Sequence, residues 1–258
     1  MPSSMSHIEH YKENQQYAEF LASWDPNFYN KYCDAIKPFN SGKKILDVGC
    51  GVGQVVQKLT SEGYDAYGVD VSYPNIQLAK KVSEKCMLYD GKSLPFEDSF
   101  FDSVGALNVL EHVEEPEAFL LEMLRVTRTG GKIVVSSPNF FRVIGFNDYH
   151  PHMRGLKNKL NNLKRILTKY FQIKNNPGSI KFDRMEPIIK EPFTPDDDAI
   201  IATNPLEIAA LLKYYGCKIL KVECTDRYVF KPLDFLLNVS PLKYIMLNGF
   251  VIAKKITT

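Results

Sequence analysis

The chain has 258 residues, 45% of them hydrophobic and 24% charged, and its formal net charge at pH 7 is +2. These values exclude a disordered chain and fit one globular domain over residues 1–258, while the near-neutral charge argues neither for nor against a nucleic-acid partner. Five cysteines without a C-x-x-C pair argue against a disulfide framework or a zinc site, so we predict a cytoplasmic setting and no metal site. We expect no secretory signal and no membrane-spanning helix, because no apolar run reaches ~18 residues.

The first segment, residues 1–42, has a helical pattern and is rich in aromatic side chains. Apolar residues recur from Ile8 to Trp24 at the spacing of one helical face, and Asp25-Pro26 interrupts the run. Two interpretations stay open: two helices packed on the edge of the domain, or an N-terminal helical lid over a ligand pocket. Within the single domain, we predict that residues 1–42 form this lid.

From residue 44 onward, short apolar strands alternate with amphipathic helices. Strands that read as continuous apolar runs predict a parallel sheet with helices on both faces. Residues 129–131, Thr-Gly-Gly, are predicted to be a turn. The predicted strands are 45–48, 66–69, 86–89, 102–107 and 132–136, and the predicted helices are 52–62, 74–84 and 116–126.

Residues 140–200 interrupt this alternation, and we interpret them as an inserted basic cap within the domain. Between residues 140 and 190 there are eleven Lys and Arg residues and three Asp and Glu residues. Leucine and aromatic residues recur at helical spacing with basic residues between them, which predicts a basic amphipathic helix. Three roles are open for it: a structural cap, a lid that recognises an acidic acceptor, and peripheral contact with an anionic membrane through residues 154–173.

The alternation returns at Asn204. Asn204 is a predicted N-cap, with Pro205 as the first helical residue and Glu207 at the third position, and Gly216 ends the helix. Two closing strands are predicted at 218–223 and 249–254, whereas residues 228–247 have no assigned structure.

The most informative stretch is a buried strand that runs into a glycine-rich turn. Gly49, Gly51 and Gly53 leave backbone N–H groups, without side-chain bulk, for a ligand to approach. The stretch is not a P-loop, and its G-x-G-x-G spacing departs from the G-x-G-x-x-G of dinucleotide-binding folds. Asp47, directly before the turn, opposes a phosphate and suits an ammonium group. Asp70 ends the next strand, at the separation along the sequence where an acid can bind ribose hydroxyls. Because dinucleotide-binding folds share this feature, Asp70 alone does not identify the ligand.

Five stretches follow one another in register over about 95 residues: Asp-Val-Gly-Cys-Gly-Val-Gly (47–53), Gly-Val-Asp-Val-Ser (68–72), residues 89–102, Asn-Val-Leu-Glu-His-Val (108–113) and residues 129–139. Together they resemble the motifs of class I S-adenosylmethionine-dependent methyltransferases, in particular the small-molecule methyltransferases that include the ubiquinone-biosynthesis enzymes. The resemblance implies an α/β, Rossmann-like, seven-stranded and mostly parallel sheet of order 3-2-1-4-5-7-6 with strand 7 antiparallel. It implies S-adenosylmethionine as the cofactor and S-adenosylhomocysteine as its product.

The resemblance also implies roles for individual residues. Asp47 would interact with the cofactor's ammonium group, and Asp70 would accept from both ribose hydroxyls. Asp90 would accept from the adenine amino group, the N–H of Gly91 would donate to the ring, and Asn108 would line the methionine side. The implied cofactor-binding set is Asp47, Gly49, Gly51, Gly53, Asp70, Val71, Asp90, Gly91 and Asn108.

Histidines are the candidates for catalysis, although methyl transfer needs a base only when the acceptor must lose a proton. His112 follows the fourth strand, at the rim where open α/β sheets bind ligands. With Glu111 it could relay a proton or hold a metal, or it could simply cap the strand. His150 and His152 begin the insertion, which we expect to cover the pocket, and each could be a base, an acceptor-binding group or a surface residue.

The predicted function is methyl transfer to a small-molecule acceptor at oxygen, nitrogen or carbon, and the acceptor is expected to be acidic or lipid-like. The alternative is a regulatory protein of the same fold that binds S-adenosylmethionine without catalysis. Nucleic acid is not an expected partner, because the insertion lacks interleaved aromatics for base stacking and Asn108 opens no Asn-Pro-Pro-Tyr motif. The sequence makes no prediction of the oligomeric state.

Overall fold

The computed structural model describes residues 11–145, 148, 150–188 and 196–256. Ile8 and the rest of the first ten residues of the predicted lid lie outside these ranges, as do residues 189–195 of the predicted insertion. The strands are β1 Lys44–Val48, β2 Asp65–Asp70, β3 Cys86–Leu88, β4 Phe101–Leu107, β5 Thr127–Pro138, β6 Asp183–Arg184, β7 Ile201–Ala202, β8 Cys217–Glu223 and β9 Asn248–Lys255.

Seven of these strands form one sheet in the order β3-β2-β1-β4-β5-β9-β8. Neighbouring strands are parallel from β3 to β5, and β9 runs antiparallel to both β5 and β8. With the separate pair β6–β7 set aside, this is the predicted order 3-2-1-4-5-7-6 with an antiparallel last strand. The predicted α/β fold class is therefore confirmed.

Helices precede, connect and follow these strands. The N-cap of the helix after β7 is the predicted one: Asn204 Oδ1 accepts from the N–H groups of Leu206 and Glu207 at 2.9 and 3.1 Å. The helices are α1 Gln15–Ala22, α2 Asn30–Ile36, α3 Gln54–Ser61, α4 Tyr73–Ala79, α5 Pro116–Val126, α6 Gly155–Asn175, α7 Pro205–Tyr214 and α8 Lys231–Val239, with 3-10 turns at Pro26–Tyr29, Leu110–His112, Pro151–Met153, Pro177–Ser179 and Pro241–Tyr244.

The two faces of the sheet bury two separate parts of the core. Ile45 of β1 packs in the cluster that contains Tyr32 of α2 and Leu59 of α3. Its neighbour Leu46 packs in the cluster that contains Leu120 of α5 and residues of α7. Because both faces are covered, the central strands need continuous apolar runs rather than alternating ones.

The segment after β5 contains α6, which confirms the predicted basic helix, and the pair β6–β7. Polar side chains hold the inner side of α6. Asn162 Nδ2 donates to the carbonyl oxygens of Phe140 and Arg142 at 3.1 and 3.2 Å. Lys169 Nζ lies 2.6 Å from a carboxylate oxygen of Glu207. None of the described helices combines the length and the apolar character needed to cross a membrane.

Two predictions of local structure are wrong. The Thr-Gly-Gly stretch 129–131 is not a turn but part of β5, because Gly130 adopts φ +79° and a register shift against β4 absorbs the extra residues. The helix predicted over 74–84 ends at Ala79, whose carbonyl accepts from the N–H groups of Val82 and Ser83 in a tight turn. The unassigned region 228–247 contains α8 and the turn Pro241–Tyr244.

Candidate functional site

A cavity of about 440 Å³ opens at the carboxyl ends of β1, β2 and β4. The strand order reverses between β2 and β4, and open α/β sheets bind ligands at such a point. Three groups form its walls: the glycine turn with its carboxylates, an aromatic segment, and a polar cluster after β4. The lining includes these members of the predicted cofactor set: Asp47, Gly49, Gly51, Asp70, Val71, Gly91 and Asn108.

The turn after β1 lets a ligand come close to the main chain. Gly49 adopts φ +76°, and a Cβ at this position would overlap Val109, so a side chain here would be both strained and obstructed. Gly51 also has a positive φ, and its N–H donates to Asp70 Oδ2 at 2.8 Å rather than pointing freely at a ligand. Gly53 does not line the cavity, and it supports the start of α3 instead.

Asp47 is a buried carboxylate under this turn, with 3% of its surface exposed. Tyr32 Oη donates to Asp47 Oδ1 at 2.8 Å. The Tyr32 hydroxyl lies against Gly105 of β4, the strand residue paired with Asp47. A Cβ at position 105 would overlap this hydroxyl, so the glycine makes room for it. Burial raises the pKa of Asp47 to about 7, against the lowering effect of the Tyr32 hydrogen bond. A carboxylate in this situation gains most from a cationic partner such as an ammonium group.

Asp70, at the end of β2, is held in place by protein donors. Its Oδ1 accepts from the N–H of Ser72 at 2.8 Å and from Asn75 Nδ2 at 3.2 Å, while Oδ2 accepts from the N–H of Gly51. Burial raises its pKa, and these hydrogen bonds lower it. Since each carboxylate oxygen accepts about two hydrogen bonds, the capacity left for ligand hydroxyls lies mainly on Oδ2.

Asp90, predicted to contact adenine, does not line the cavity. Its exposed carboxylate accepts from the N–H groups of Lys92 and Ser93, both at 2.8 Å, and these bonds lower its pKa. This is a local turn that a side-chain carboxylate stabilises. The turn places Gly91, at φ +81°, against the cavity. Both hydrogen bonds fall on Oδ1 of Asp90, so the contact of its Oδ2 with adenine stays a prediction.

Asn108 follows β4 in a left-handed conformation, with φ +52°. Asparagine tolerates this region better than most residues do, and such strained positions are common at functional sites. Its N–H donates to the carbonyl oxygen of Ser136 at 2.9 Å, which fixes the turn. The predicted place of Asn108 beside the ligand therefore agrees with its position in the lining.

One wall of the cavity is a continuous series of aromatic rings from residues 11–29. Successive rings contact each other edge to face or stacked, with centroids 4.9 to 6.5 Å apart. Gln54 Nε2 of α3 donates to the carbonyl oxygen of Leu21 at 3.2 Å and ties the segment to the glycine turn. The segment lies against the cavity, as a lid would. The rings are those of Tyr11, Tyr17, Phe20, Trp24, Phe28 and Tyr29.

The polar cluster lies where this wall meets the end of β4. His112 lines the cavity, and its Nδ1 lies 3.0 Å from Tyr11 Oη and 3.8 Å from Asp198 Oδ1. Tyr11 Oη donates its single proton to Asp198 Oδ2. We therefore assign Nδ1 of His112 as the donor to the phenolic oxygen, which leaves the lone pair of a neutral ring on Nε2. In this tautomer His112 can accept a proton.

Glu111 lies behind His112 and is fully buried. Its Oε2 accepts from Ser137 Oγ at 2.9 Å, whereas Oε1 lies 3.9 Å from His112 Nε2 and has no hydrogen-bond donor among the described residues. Burial, together with the charges of Asp196 and Asp198, raises its pKa well above the ordinary value. One ligand atom each from Glu111, His112 and Asp196 lie within 4.8 Å of one another, so the cluster could hold a cation.

Two acids of this cluster come from the distant end of the insertion. The N–H of Ile200 donates to the carbonyl oxygen of Glu111 at 2.9 Å, and this bond brings Asp196 and Asp198 beside His112. The sequence contains an acidic run at 196–198, but nothing in its local pattern connects it to the turn after β4. Sequence reasoning therefore missed both acids and also Tyr11 as a partner of His112.

The other two predicted histidines are not brought to the cavity. His150 is fully buried, with its ring 5.1 Å from that of Phe140 and 5.2 Å from that of His152. His152 lines a separate polar groove along α6. Their place in the insertion suggested that they cover the pocket, but packing of this part of the insertion against α6 directs them elsewhere.

Residues 46–135 match the family described as "Methyltransferase domain". A demethylmenaquinone methyltransferase of Renibacterium salmoninarum is 36% identical over 110 residues, which cover 40% of this chain and 46% of that protein. A ubiquinone biosynthesis O-methyltransferase of Rhodopseudomonas palustris is 38% identical over 104 residues, which cover 38% and 41%. The chain thus spans less than half the length of these curated relatives.

Likeness to solved structures extends over nearly the whole fold. The crystal structure of a SAM-dependent methyltransferase from Aquifex aeolicus has a TM-score of 0.53 and 16% identity, with 94% of this chain and 98% of that chain covered. The matched domain and the strand order support the predicted resemblance to the class I S-adenosylmethionine-dependent methyltransferases. The match over residues 46–135 agrees with the predicted family, and the solved structure shares its fold.

Proposed function

We propose that this protein transfers the methyl group of S-adenosylmethionine to a small-molecule acceptor bound in the same cavity. The observation that carries the proposal is that one cavity joins the cofactor-type residues Asp47, Gly49 and Asp70 to His112 and the aromatic wall. The relatives named for menaquinone and ubiquinone biosynthesis support a small-molecule acceptor.

Positioning carries most of the proposed chemistry. The cofactor, when bound, supplies an electrophilic methyl group on a sulfonium. Asp47 would hold its ammonium group, Oδ2 of Asp70 would accept from ribose hydroxyls, and the turn at Gly49 would let it lie on the main chain. A well-oriented acceptor gains effective molarities of roughly 10⁵–10⁸ M, so the fold needs no covalent help. Nε2 of His112 would accept a proton from an acceptor that must lose one.

The proposal is tested by calorimetry followed by a transfer assay. We expect S-adenosylmethionine and S-adenosylhomocysteine to bind, and NAD not to bind. Tritiated S-adenosylmethionine, incubated with a fractionated extract of small molecules, should then label an acceptor in a protein-dependent way. Binding of NAD alone would overturn the assignment. Cofactor binding without any labelled product would favour the regulatory alternative.

Cofactor affinity should rise with pH, because Asp47 attracts an ammonium group only when it is ionised. Burial raises its pKa to about 7, so the carboxyl is largely protonated at pH 6 and ionised at pH 8. Because Asp47 must lose one proton before it attracts the ammonium group, the affinity should change by up to about tenfold per pH unit below the pKa. Calorimetry with S-adenosylmethionine between pH 5.5 and 7.0 measures this slope, in a range where the cofactor's own amine stays charged.

The matched variant is Asp47→Asn, which keeps the shape and removes the titration. It should bind the cofactor more weakly than the wild type at pH 7 and show a flat pH profile. Because folding raises the pKa of Asp47 above its ordinary value of 3.8, its contribution to stability is fully present below that pH and is lost as the pH rises through about 7. Ligand-free Asp47→Asn should therefore lose less stability over this range than the wild type. A wild-type affinity independent of pH would contradict the role of Asp47.

We also propose that α6 contacts an anionic membrane surface. Its apolar side chains face solvent: Leu156 is 75% exposed, Leu160 59% and Phe171 59%. The helix contains six Lys and Arg residues and no Asp or Glu. Since Asn162 and Lys169 fix the opposite side, the outward direction of the apolar stripe is set by the fold. Basic helices with an exposed apolar stripe bind anionic bilayers.

Vesicle co-sedimentation tests this contact. We expect the protein to sediment with vesicles that contain phosphatidylglycerol and to remain in solution with pure phosphatidylcholine. The double variant Leu160→Ser/Phe171→Ser should lose most of the binding, because it removes apolar area from the stripe. Phe235→Ser, which changes an exposed aromatic residue on α8, is the matched control. No sedimentation at low salt would contradict the proposal.

A further inference from the structure

Carboxylates dominate the polar lining of the cavity beyond the cofactor set. Asp196, Glu114 and Glu115 line it, in addition to the two carboxylates that the cofactor would use. Among the lining residues that the structure describes, Lys92 is the one Lys or Arg. This balance of charge disfavours an acidic acceptor, the class that the basic insertion suggested, and favours a cationic one.

Buried carboxylate oxygens beside His112 lack donors. Oε1 of Glu111 and Oδ1 of Asp198 belong to side chains that are almost fully buried, and neither oxygen has a hydrogen-bond partner within the described part of the chain. They lie 3.9 and 3.8 Å from the two ring nitrogens of His112, which itself faces the cavity. Buried acceptors without donors are costly. Neither side chain lines the cavity, so these oxygens make the surroundings of His112 negative and favour a cationic ligand on its cavity side.

Aromatic rings adjoin this cluster. The ring of Tyr11 lies 5.5 Å from that of His112, and the ring of Tyr17 lies 5.4 Å from that of Tyr11. Both tyrosines line the cavity, and the series continues along the wall through Phe20. Aromatic faces attract organic cations. Carboxylates and rings together therefore form a surface suited to an alkyl or aryl ammonium group.

We propose that the methyl acceptor is an amine that enters as an ammonium ion, bound beside His112 between the carboxylate of Asp196 and the rings of Tyr11 and Tyr17. This inference rests on the proposed methyl transfer and names the class of its acceptor. In the reaction, the ammonium first loses a proton to Nε2 of His112. The nitrogen lone pair then forms the new N–C bond, while the electrons of the broken C–S bond stay on sulfur, which becomes a neutral thioether. The positive charge thus passes from sulfur to nitrogen.

A matched set of three probes tests the class of acceptor: phenethylamine, 2-phenylethanol and phenylacetate, which are cationic, neutral and anionic. Ligand-observed NMR titrations are run with the full chain saturated with S-adenosylhomocysteine. We expect phenethylamine to bind roughly tenfold more tightly than 2-phenylethanol, and phenylacetate to bind most weakly. Asp196→Asn and Glu114→Gln, on two different segments, should each reduce the preference for the amine. Glu97→Gln, an exposed change outside the cavity lining, should not.

The outcomes separate this inference from the proposed function. Binding of S-adenosylhomocysteine without any preference for the amine, or with a preference for phenylacetate, would overturn the amine acceptor and leave methyl transfer standing. Absence of S-adenosylhomocysteine binding would overturn the proposed function itself. A titration with Mn²⁺ alone tests whether the cluster is a metal site. If Mn²⁺ binds tightly, Asp196→Asn abolishes this binding and the amine is not preferred, the cluster is a metal site and the inference is overturned.

Discussion

Asp70→Ala is expected to weaken binding of S-adenosylmethionine severely. A hydrogen bond to a charged group contributes about 1.5–3 kcal/mol, so loss of the ribose contact at Oδ2 alone should weaken binding by about 10- to 100-fold. Part of the effect is indirect, because this carboxylate also accepts from the N–H groups of Gly51 and Ser72 and so shapes the glycine turn. Calorimetry with S-adenosylmethionine and S-adenosylhomocysteine measures the loss.

Two companion variants make this result interpretable. Asp70→Asn keeps an acceptor oxygen and should recover part of the affinity. Asp65→Ala removes a carboxylate from the opposite end of the same strand, where it pairs with Lys85 at the surface, and should leave cofactor binding unchanged. Circular dichroism of all three variants checks that the sheet is intact. An Asp70→Ala protein that is folded and binds with wild-type affinity would refute the ribose role.

Lys169→Met is expected to lower the free energy of unfolding by about 3–5 kcal/mol, which is the usual cost of leaving one member of a buried ion pair alone. Glu207 is fully buried, and Lys169 is its cationic partner at 2.6 Å, as well as that of Asp183 at 2.7 Å. Burial raises the pKa of Glu207 to about 7 even with this lysine present. In the variant, protonation of Glu207 removes the unpaired charge and so reduces the loss of stability at low pH. The loss should therefore grow as the pH rises from 6 to 8.

Urea unfolding at pH 6 and pH 8 measures this effect. Lys174→Met, on the same helix but exposed, is the matched control and should change stability by less than about 0.5 kcal/mol. Equal stability of wild type and Lys169→Met at pH 8 would show that the ion pair does not anchor α6.

The glycine-turn side of the cavity was predictable because its signals are local. Strand, glycine turn and carboxylate follow one another within residues 44–54, and the left-handed conformation of Gly49 is what the glycine spacing indicates. Asp90 shows what local reasoning leaves out: its Oδ1 accepts from the N–H groups of Lys92 and Ser93, a structural role that the adenine prediction did not include.

The polar cluster around His112 was predictable only for His112 itself, because tertiary packing brings its other members there. Tyr11, His112 and Asp198 come from three separate parts of the chain, and no periodicity relates them. The direction of α6 was hidden for a similar reason. Its leucines predict an amphipathic helix but leave open which side is covered, and in the structure the buried side is formed by Asn162, Ile166 and Lys169. A missed clue for Asp47 was Gly105, since a glycine inside a strand often marks a close approach, here of Tyr32.

The contact between Tyr11 and Asp198 joins residues 187 positions apart, and that between Tyr11 and His112 spans 101. Closing such long loops costs more chain entropy than forming the glycine turn and β2, whose contacts lie close together along the chain. The two halves of the cavity should accordingly differ in how often they open. In native-state hydrogen exchange we expect amides around residues 196–202 to exchange before those of β1 and β2, so that a molecule can hold its cofactor while its acceptor pocket is still assembling.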